Sequence, residues 1–247
     1  MTGKVYLVGA GPGDPKLITL RAVELIKSAD VVLYDRLVSK KILAMIPKNA
    51  ESIYVGRAVG DDITHQDNTN ELMVKYAQLK KSVVRLKGGD PIIFGRGGEE
   101  AEFLKSFNIK YEIIPGITSG IGSATYAGIP LTHRDFNSTV TFIAGRGSAG
   151  ELPERHNWEA IAKGSPVIVM YMATKYIHEI VGRLLNYGRK PDEPVAVIAK
   201  ASLPEQIVLE TRLCECVEEI KKNKIEPPAL IVVGEVVSLR SYMKWMD

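Results

Sequence analysis

The residues best able to do chemistry crowd into one stretch, Arg85-Leu86-Lys87-Gly88-Gly89-Asp90-Pro91-Ile92-Ile93-Phe94-Gly95-Arg96-Gly97-Gly98-Glu99-Glu100. It follows an apolar run of strand length. Glycine at the carboxyl end of a strand lets a ligand approach the backbone, and that edge of an open α/β sheet is where ligands bind. Lys87 precedes the glycines and no Gly-Lys-Ser/Thr follows, so this is not a phosphate loop. Gly97-Gly98 reads equally well as a tight turn, whereas Gly88, Gly89 and Asp90 are expected to carry function.

A second stretch, Gly9-Ala10-Gly11-Pro12-Gly13-Asp14, follows the run Tyr6–Val8 and has the outline of a dinucleotide-binding turn, with Asp35 placed where the ribose-binding acid would stand. It departs from that fingerprint. Asp14 replaces the third glycine, and Pro12 and Pro15 keep a helix from starting inside the turn, so no helix N-terminus is offered to a pyrophosphate. In a third stretch, from Pro115 to Arg134, Thr118 and Ser119 place hydroxyls ahead of a small-residue helix, where capping is their commonest job, and His133-Arg134 forms a basic exit. The histidines at 65, 133, 156 and 178 lack metal-ligand spacing, and no metal is expected. Cys214 and Cys216, one residue apart, make neither a redox C-x-x-C nor a zinc half-site; one buried and one exposed thiol on a helix is expected.

These stretches must be held by the elements between them. Apolar runs of strand length recur at Val5–Val8, Val31–Leu33, Ile53–Val55, Val83–Leu86, Ile113–Ile114, Val140–Ala144, Val167–Tyr171, Val195–Ala199, Ile207–Leu209 and Ala229–Val233. Runs without polar alternation are typical of strands buried on both faces. Helical spacing appears at Leu20, Val23 and Ile26, at Leu72, Met73, Tyr76 and Leu79 behind an Asp67 cap, and at Ile177 to Leu185. Strand and helix alternate, which predicts the α/β class. The Pro115-Gly116 pair marks the boundary of two α/β domains, 1–115 and 116–247, with a cleft expected between them. The second is expected to be the more antiparallel, because only a short Ser-Leu-Pro turn separates Val195–Ala199 from Ile207–Leu209.

The bulk composition agrees with a large core: 247 residues, 45% hydrophobic and 25% charged. Lys and Arg number 32 against 29 Asp and Glu, a net +3 that falls before Pro115. Such a balance argues against a dedicated nucleic-acid binder. No apolar run approaches the roughly 20 residues of a membrane span, and Met1-Thr2-Gly3-Lys4 leads straight into a strand, so no membrane partner and a cytoplasmic location are expected.

Together with Tyr34-Asp35-Arg36-Leu37-Val38, the Leu-Lys-Gly-Gly-Asp-Pro block with its Gly-Arg-Gly-Gly-Glu-Glu tail and Gly128-Ile129-Pro130-Leu131-Thr132-His133-Arg134 closely resemble the uroporphyrinogen-III C-methyltransferases of the tetrapyrrole methylase family. The resemblance runs through Val167–Met172, Pro194–Val197 and Pro227–Val237, essentially the whole chain. It implies a homodimer of two-domain protomers that binds S-adenosylmethionine in the cleft and methylates uroporphyrinogen III on rings A and B, giving precorrin-2 for sirohaem or cobalamin synthesis. By resemblance the cofactor is held by Pro12, Gly88, Gly89, Asp90, Ile93, Thr118, Ser119, Met172, Ala201 and Ala229, with Asp90 complementing its charge or hydroxyls. Asp35 is implied as the proton acceptor.

The second catalytic position, commonly Lys and assigned as proton donor, falls on Arg57. A guanidinium is permanently protonated and is better suited to gripping a carboxylate in a bidentate fork. The substrate carries eight carboxylates, so Arg36, Arg96, His133 and Arg134 are expected to line its pocket with Arg57. The motif strings and the near-neutral charge favour uroporphyrinogen III over the acceptors of relatives that methylate later cobalamin intermediates, the diphthamide precursor or ribosomal RNA. On the residues alone two other classes stay open, a dinucleotide-dependent oxidoreductase and a cofactor-binding protein without turnover.

Overall fold

The apolar runs become strands of two separate sheets in the computed structural model, which describes residues 2–56, 64–147 and 150–246, with the backbone alone at 64–67. The chain divides into two compact units, Met1–Thr118 and Ser119–Asp247.

The first unit alternates β1 (Lys4–Gly9), α1 (Leu20–Lys27), β2 (Val31–Tyr34), α2 (Lys40–Leu43), β3 (Glu51–Tyr54), α3 (Thr64–Gln78), β4 (Ser82–Lys87), α4 (Gly97–Ser106) and β5 (Lys110–Ile114). All neighbours pair in parallel, in the order β3-β2-β4-β1-β5. Both faces of the inner strands are covered, which is why β1 and β2 lack polar alternation, whereas the edge strands β3 and β5 are polar and exposed. Val8, Val32, Val84 and Leu86 pack under Leu25 and Ile26 of α1 and Ile42 of α2. On the other face Val5, Leu7, Leu33 and Val83 pack under Met73 and Ala77 of α3 and Leu104 of α4. The connections leaving β1 and β4 therefore run to opposite faces, and since these strands are neighbours their carboxyl ends form the switch point at which open α/β sheets bind ligands. The helix over 64–78 begins at Thr64, so Asp67 lies within its first turn rather than at its cap.

The second unit contains α5 (Ser119–Tyr126), β6 (Thr141–Ala144), α6 (Trp158–Gly164), β7 (Ile168–Tyr171), α7 (Ile177–Asn186), β8 (Pro194–Ala199), β9 (Ile207–Arg212), α8 (Cys216–Lys222), β10 (Ala229–Val233) and α9 (Arg240–Met243). Its sheet runs β6-β7-β10-β8-β9, parallel at β6–β7 and antiparallel at the other pairings, β8–β9 among them. One face packs on Trp158, Ile180, Leu184 and Ile220 of α6, α7 and α8, the other on Ala124 of α5 and on Val236 and Val237. Cys216 is buried at the start of α8, and the exposed Cys214 lies in the turn before it rather than on the helix. Among the described residues no helix is long and apolar enough to cross a membrane, and no cluster of three His, Cys, Asp or Glu is placed to hold a metal.

Candidate active site

Parallel pairing puts the candidate residues of the first unit at one edge of its sheet. Pro12 follows β1, Asp35 and Arg36 follow β2, Gly88 to Arg96 follow β4, and Thr118 follows β5. Arg57, beyond β3, lies outside the described residues.

The turn after β1 is sewn to the turn after β4. Gly11 N donates to Gly89 O at 3.1 Å and Gly89 N donates to Gly11 O at 2.8 Å, with both glycines left-handed at φ of 77° and 70°. A Cβ on Gly88 would stand 2.6 Å from Leu37 Cβ, so the loop after β2 rests directly on it. Pro12-Gly13 is followed by a short 3-10 turn, Pro15–Leu17, and α1 begins only at Leu20 behind the Thr19 cap. The glycines of Gly9 to Asp14 thus serve close backbone packing, and no helix N-terminus stands behind them as a pyrophosphate site requires.

Asp35 is fixed at the same edge. Its Oδ1 accepts from Leu37 N at 2.9 Å and its Oδ2 from Gly88 N at 3.4 Å. The side chain keeps 23% of its surface exposed, enough for a substrate atom to reach it. Asp90 is used differently: Oδ1 accepts from Ile92 N at 2.8 Å and Ile93 N at 3.0 Å, and Oδ2 from Gly116 N at 3.1 Å. Its carboxylate is occupied by backbone amides, and what the loop offers a ligand is its backbone and the exposed side chains of Ile92, Ile93 and Phe94.

Beneath this edge lies an ion cluster whose three members belong to the Arg85–Glu100 stretch but had no role assigned from sequence. Arg85 and Lys87, two apart on β4, face the α4 side of the sheet and are both buried, as is Glu100 of α4. Arg85 Nε lies 3.1 Å from Glu100 Oε1, and Lys87 Nζ lies 2.9 Å from the same carboxylate. Burial and the Arg85 guanidinium push the Lys87 ammonium below its ordinary value against the pull of Glu100. Burial alone would raise the Glu100 carboxyl, but Lys87 and Arg85 outweigh it and hold it below the usual range. The readable signal was the period of two: cations at 85 and 87 on one strand share a face and need a buried anion.

Antiparallel pairing gathers the candidates of the second unit. The registers Ile231↔Met170 and Ala229↔Ala199 bring Ala229 level with Met172 beyond β7, and Ala201 just beyond β8, to one sheet edge. Ser119 opens α5, where Gly120 N donates to the Tyr171 hydroxyl at 2.8 Å. His133 is half-buried, stacked edge-on against Phe136 with ring centroids 5.2 Å apart. Arg134 beside it is exposed, as are Arg36 and Arg96 of the first unit, the last 3.4 Å from Glu99.

Backbone strain marks the same places. Among the described non-glycine residues with positive φ, Lys80, Asn108 and Lys224 follow the ends of α3, α4 and α8, where left-handed residues routinely close helices. The others are Phe94, Arg96, Met172, Lys200 and Ser202, all in the loop after β4 or at the gathered edge of the second sheet. Arg96 is the N-cap of α4, and the other four have no capping role; such strain concentrates at ligand sites.

The tetrapyrrole (corrin/porphyrin) methylase family model matches residues 4–216, and the chain belongs to that family. It is 48% identical over 244 residues to a uroporphyrinogen-III C-methyltransferase of a Sinorhizobium species, covering 99% of this chain and 87% of that protein. A crystal structure of the uroporphyrin-III C-methyl transferase of Thermus thermophilus complexed with S-adenyl homocysteine superposes with a TM-score of 0.83 at 41% identity, over 96% of this chain and 94% of that one. The siroheme synthase of Acinetobacter baylyi is 46% identical over 99% of this chain, which spans about half (53%) of that protein's length.

Proposed function

We propose that this protein is an S-adenosylmethionine-dependent C-methyltransferase that methylates uroporphyrinogen III on rings A and B to give precorrin-2. The observation that carries the reading is the joining of Asp35 to Gly88: the candidate proton acceptor and the candidate cofactor loop share a hydrogen bond at a ligand-binding sheet edge, in a chain of this family.

The residues fit the cofactor. Gly88 and Gly89, the second left-handed at φ 70°, present bare backbone at the ligand-binding edge, and the exposed Ile93 and Met172 supply apolar cover. The proposed holders are Pro12, Gly88, Gly89, Ile93 and Thr118 on the first unit and Ser119, Met172, Ala201 and Ala229 on the second, with Asp90 acting through the loop that it ties down. When bound, the cofactor supplies a sulfonium methyl group, which passes to a pyrrole carbon while the S–CH3 bond breaks and S-adenosylhomocysteine leaves. Such a displacement needs alignment more than acid or base. The methylated ring is then cationic and regains neutrality by giving up a proton, which Asp35 accepts while its negative charge also stabilises the cation. Arg36, Arg57, Arg96, His133 and Arg134 would grip substrate carboxylates.

Anaerobic incubation with uroporphyrinogen III and S-adenosylmethionine, followed by visible spectrum and product mass, tests the reading. Two added methyl groups are expected. Cofactor binding without methylation would point to another acceptor within the family. We further propose that the protein works in the cytoplasm as a homodimer, as the family resemblance implies, and light scattering on the purified chain would test the dimer.

A further inference from the structure

We propose that Arg85, anchored by Glu100, is a positioning residue for the Asp35 carboxylate. The inference rests on the reading of Asp35 as proton acceptor.

The guanidinium of Arg85 is fixed on two sides, which sets the direction of its third nitrogen. Nε points to Glu100 Oε1 at 3.1 Å, Nη1 donates to the carbonyl of Leu86 at 3.2 Å, and Nη2 is thereby aimed at Asp35 Oδ2, 3.9 Å away. That last distance is ion-pair range and too long for a hydrogen bond, so the influence is electrostatic and steric. Only a planar fork with separate donors can serve all three directions at once. Asp35 Oδ2 then lies between Arg85 and the amide of Gly88, which fixes the direction of the carboxylate while its open side faces outward.

The partners also match. Arg85 and Lys87 face the one carboxylate of Glu100, and among the described residues Asp35 is the other carboxylate within ion-pair reach of Arg85. A buried ion network is weak evidence for stability, since well-packed apolar residues often serve as well or better. A network that leaves one arm of a guanidinium aimed at a partly exposed carboxylate is better explained by what it does to that carboxylate.

A double-mutant cycle on the full chain separates the possibilities. Asp35→Asn is expected to lower kcat by about 100-fold or more. Arg85→Lys keeps the charge but loses the fork, and is expected to lower kcat by about 10- to 100-fold through misplacement of the carboxylate. KM for uroporphyrinogen III and cofactor affinity by calorimetry should stay near wild type. In the Asp35→Asn background Arg85→Lys should cost nothing further, because the group it acts through is gone. An equal loss in both backgrounds, or an effect confined to KM or cofactor affinity, would overturn the positioning role and leave Asp35 in place. Unchanged kcat in Asp35→Asn alone would remove the underlying reading instead. Should Arg85→Lys not fold, Glu100→Asp, which draws the anchor back by one methylene with its charge intact, is taken through the same cycle with the same outcomes.

Discussion

Gly116 N donates to Asp90 Oδ2 at 3.1 Å, tying the loop after β4 to the segment that leaves β5, 26 residues further along the chain. With Oδ1 accepting from Ile92 N and Ile93 N, the one carboxylate gathers three backbone amides. Charge-assisted bonds of this kind are the strong ones. Asp90 therefore fixes the shape of the loop from within.

Replacing Asp90 by Asn should cost stability and cofactor affinity together. An amide can turn its oxygen toward Ile92 and Ile93, but its NH2 then meets the Gly116 N–H, donor against donor. The loss is expected at about 1–3 kcal/mol, read as a lower urea midpoint, with weaker S-adenosylmethionine binding by calorimetry. Full stability with weakened binding would instead assign the carboxylate to the cofactor itself.

The end of β1 makes a harsher demand. A Cβ on Gly9 would lie 2.6 Å from Gly116 N and 2.7 Å from Gly89 O, both backbone atoms of neighbouring strand ends. No rotamer change relieves such a contact. Gly9→Ala is expected to destabilise by about 1–3 kcal/mol or more, while Gly98→Ala, with nothing within 4 Å of its Cβ, should be nearly neutral in the same unfolding experiment.

Much of this arrangement is written in local sequence. Apolar runs such as Val5–Val8 and Val31–Leu33 lack alternation because helices cover both faces, and the glycine stretches fall at carboxyl ends because parallel strands share them. What escapes is long-range or disguised. Gly97-Gly98 reads as turn, yet it opens α4 and so carries Glu100 inward over Arg85 and Lys87. The edge formed by Met172, Ala201 and Ala229 depends on β10 inserting between β7 and β8, an order that no local pattern encodes.

The two thiols should be chemically distinct. Burial pushes the Cys216 thiol up to about 12, and nucleophilic attack needs the thiolate. Cys214 is exposed. Iodoacetamide at neutral pH is expected to add one adduct to the native chain and two in denaturant, counted by intact mass. Two adducts on the native chain would mean that the start of α8 opens readily.

Met172 sits left-handed at φ 54° with 47% of its surface exposed, so it strains the backbone without filling the core. Holding a non-glycine residue there costs on the order of 1–3 kcal/mol, and glycine would relieve that strain while adding about 0.5–1 kcal/mol of chain entropy to be lost on folding. The relief matches or exceeds the entropy cost. Met172→Gly is therefore expected to be at least as stable as the wild type in urea, but to bind S-adenosylmethionine more weakly, because the strain holds an apolar side chain at the edge where Ala201 and Ala229 also lie. Lys200→Gly, at φ 49° and outside the proposed cofactor set, serves as the control: it should likewise keep full stability, with unchanged affinity. If Met172→Gly lost stability while its affinity stayed intact, the residue would belong to the fold of the second unit and not to the cofactor site. If both glycine variants bound normally, the strain at this edge would need another cause, and Met172 would leave the proposed cofactor set.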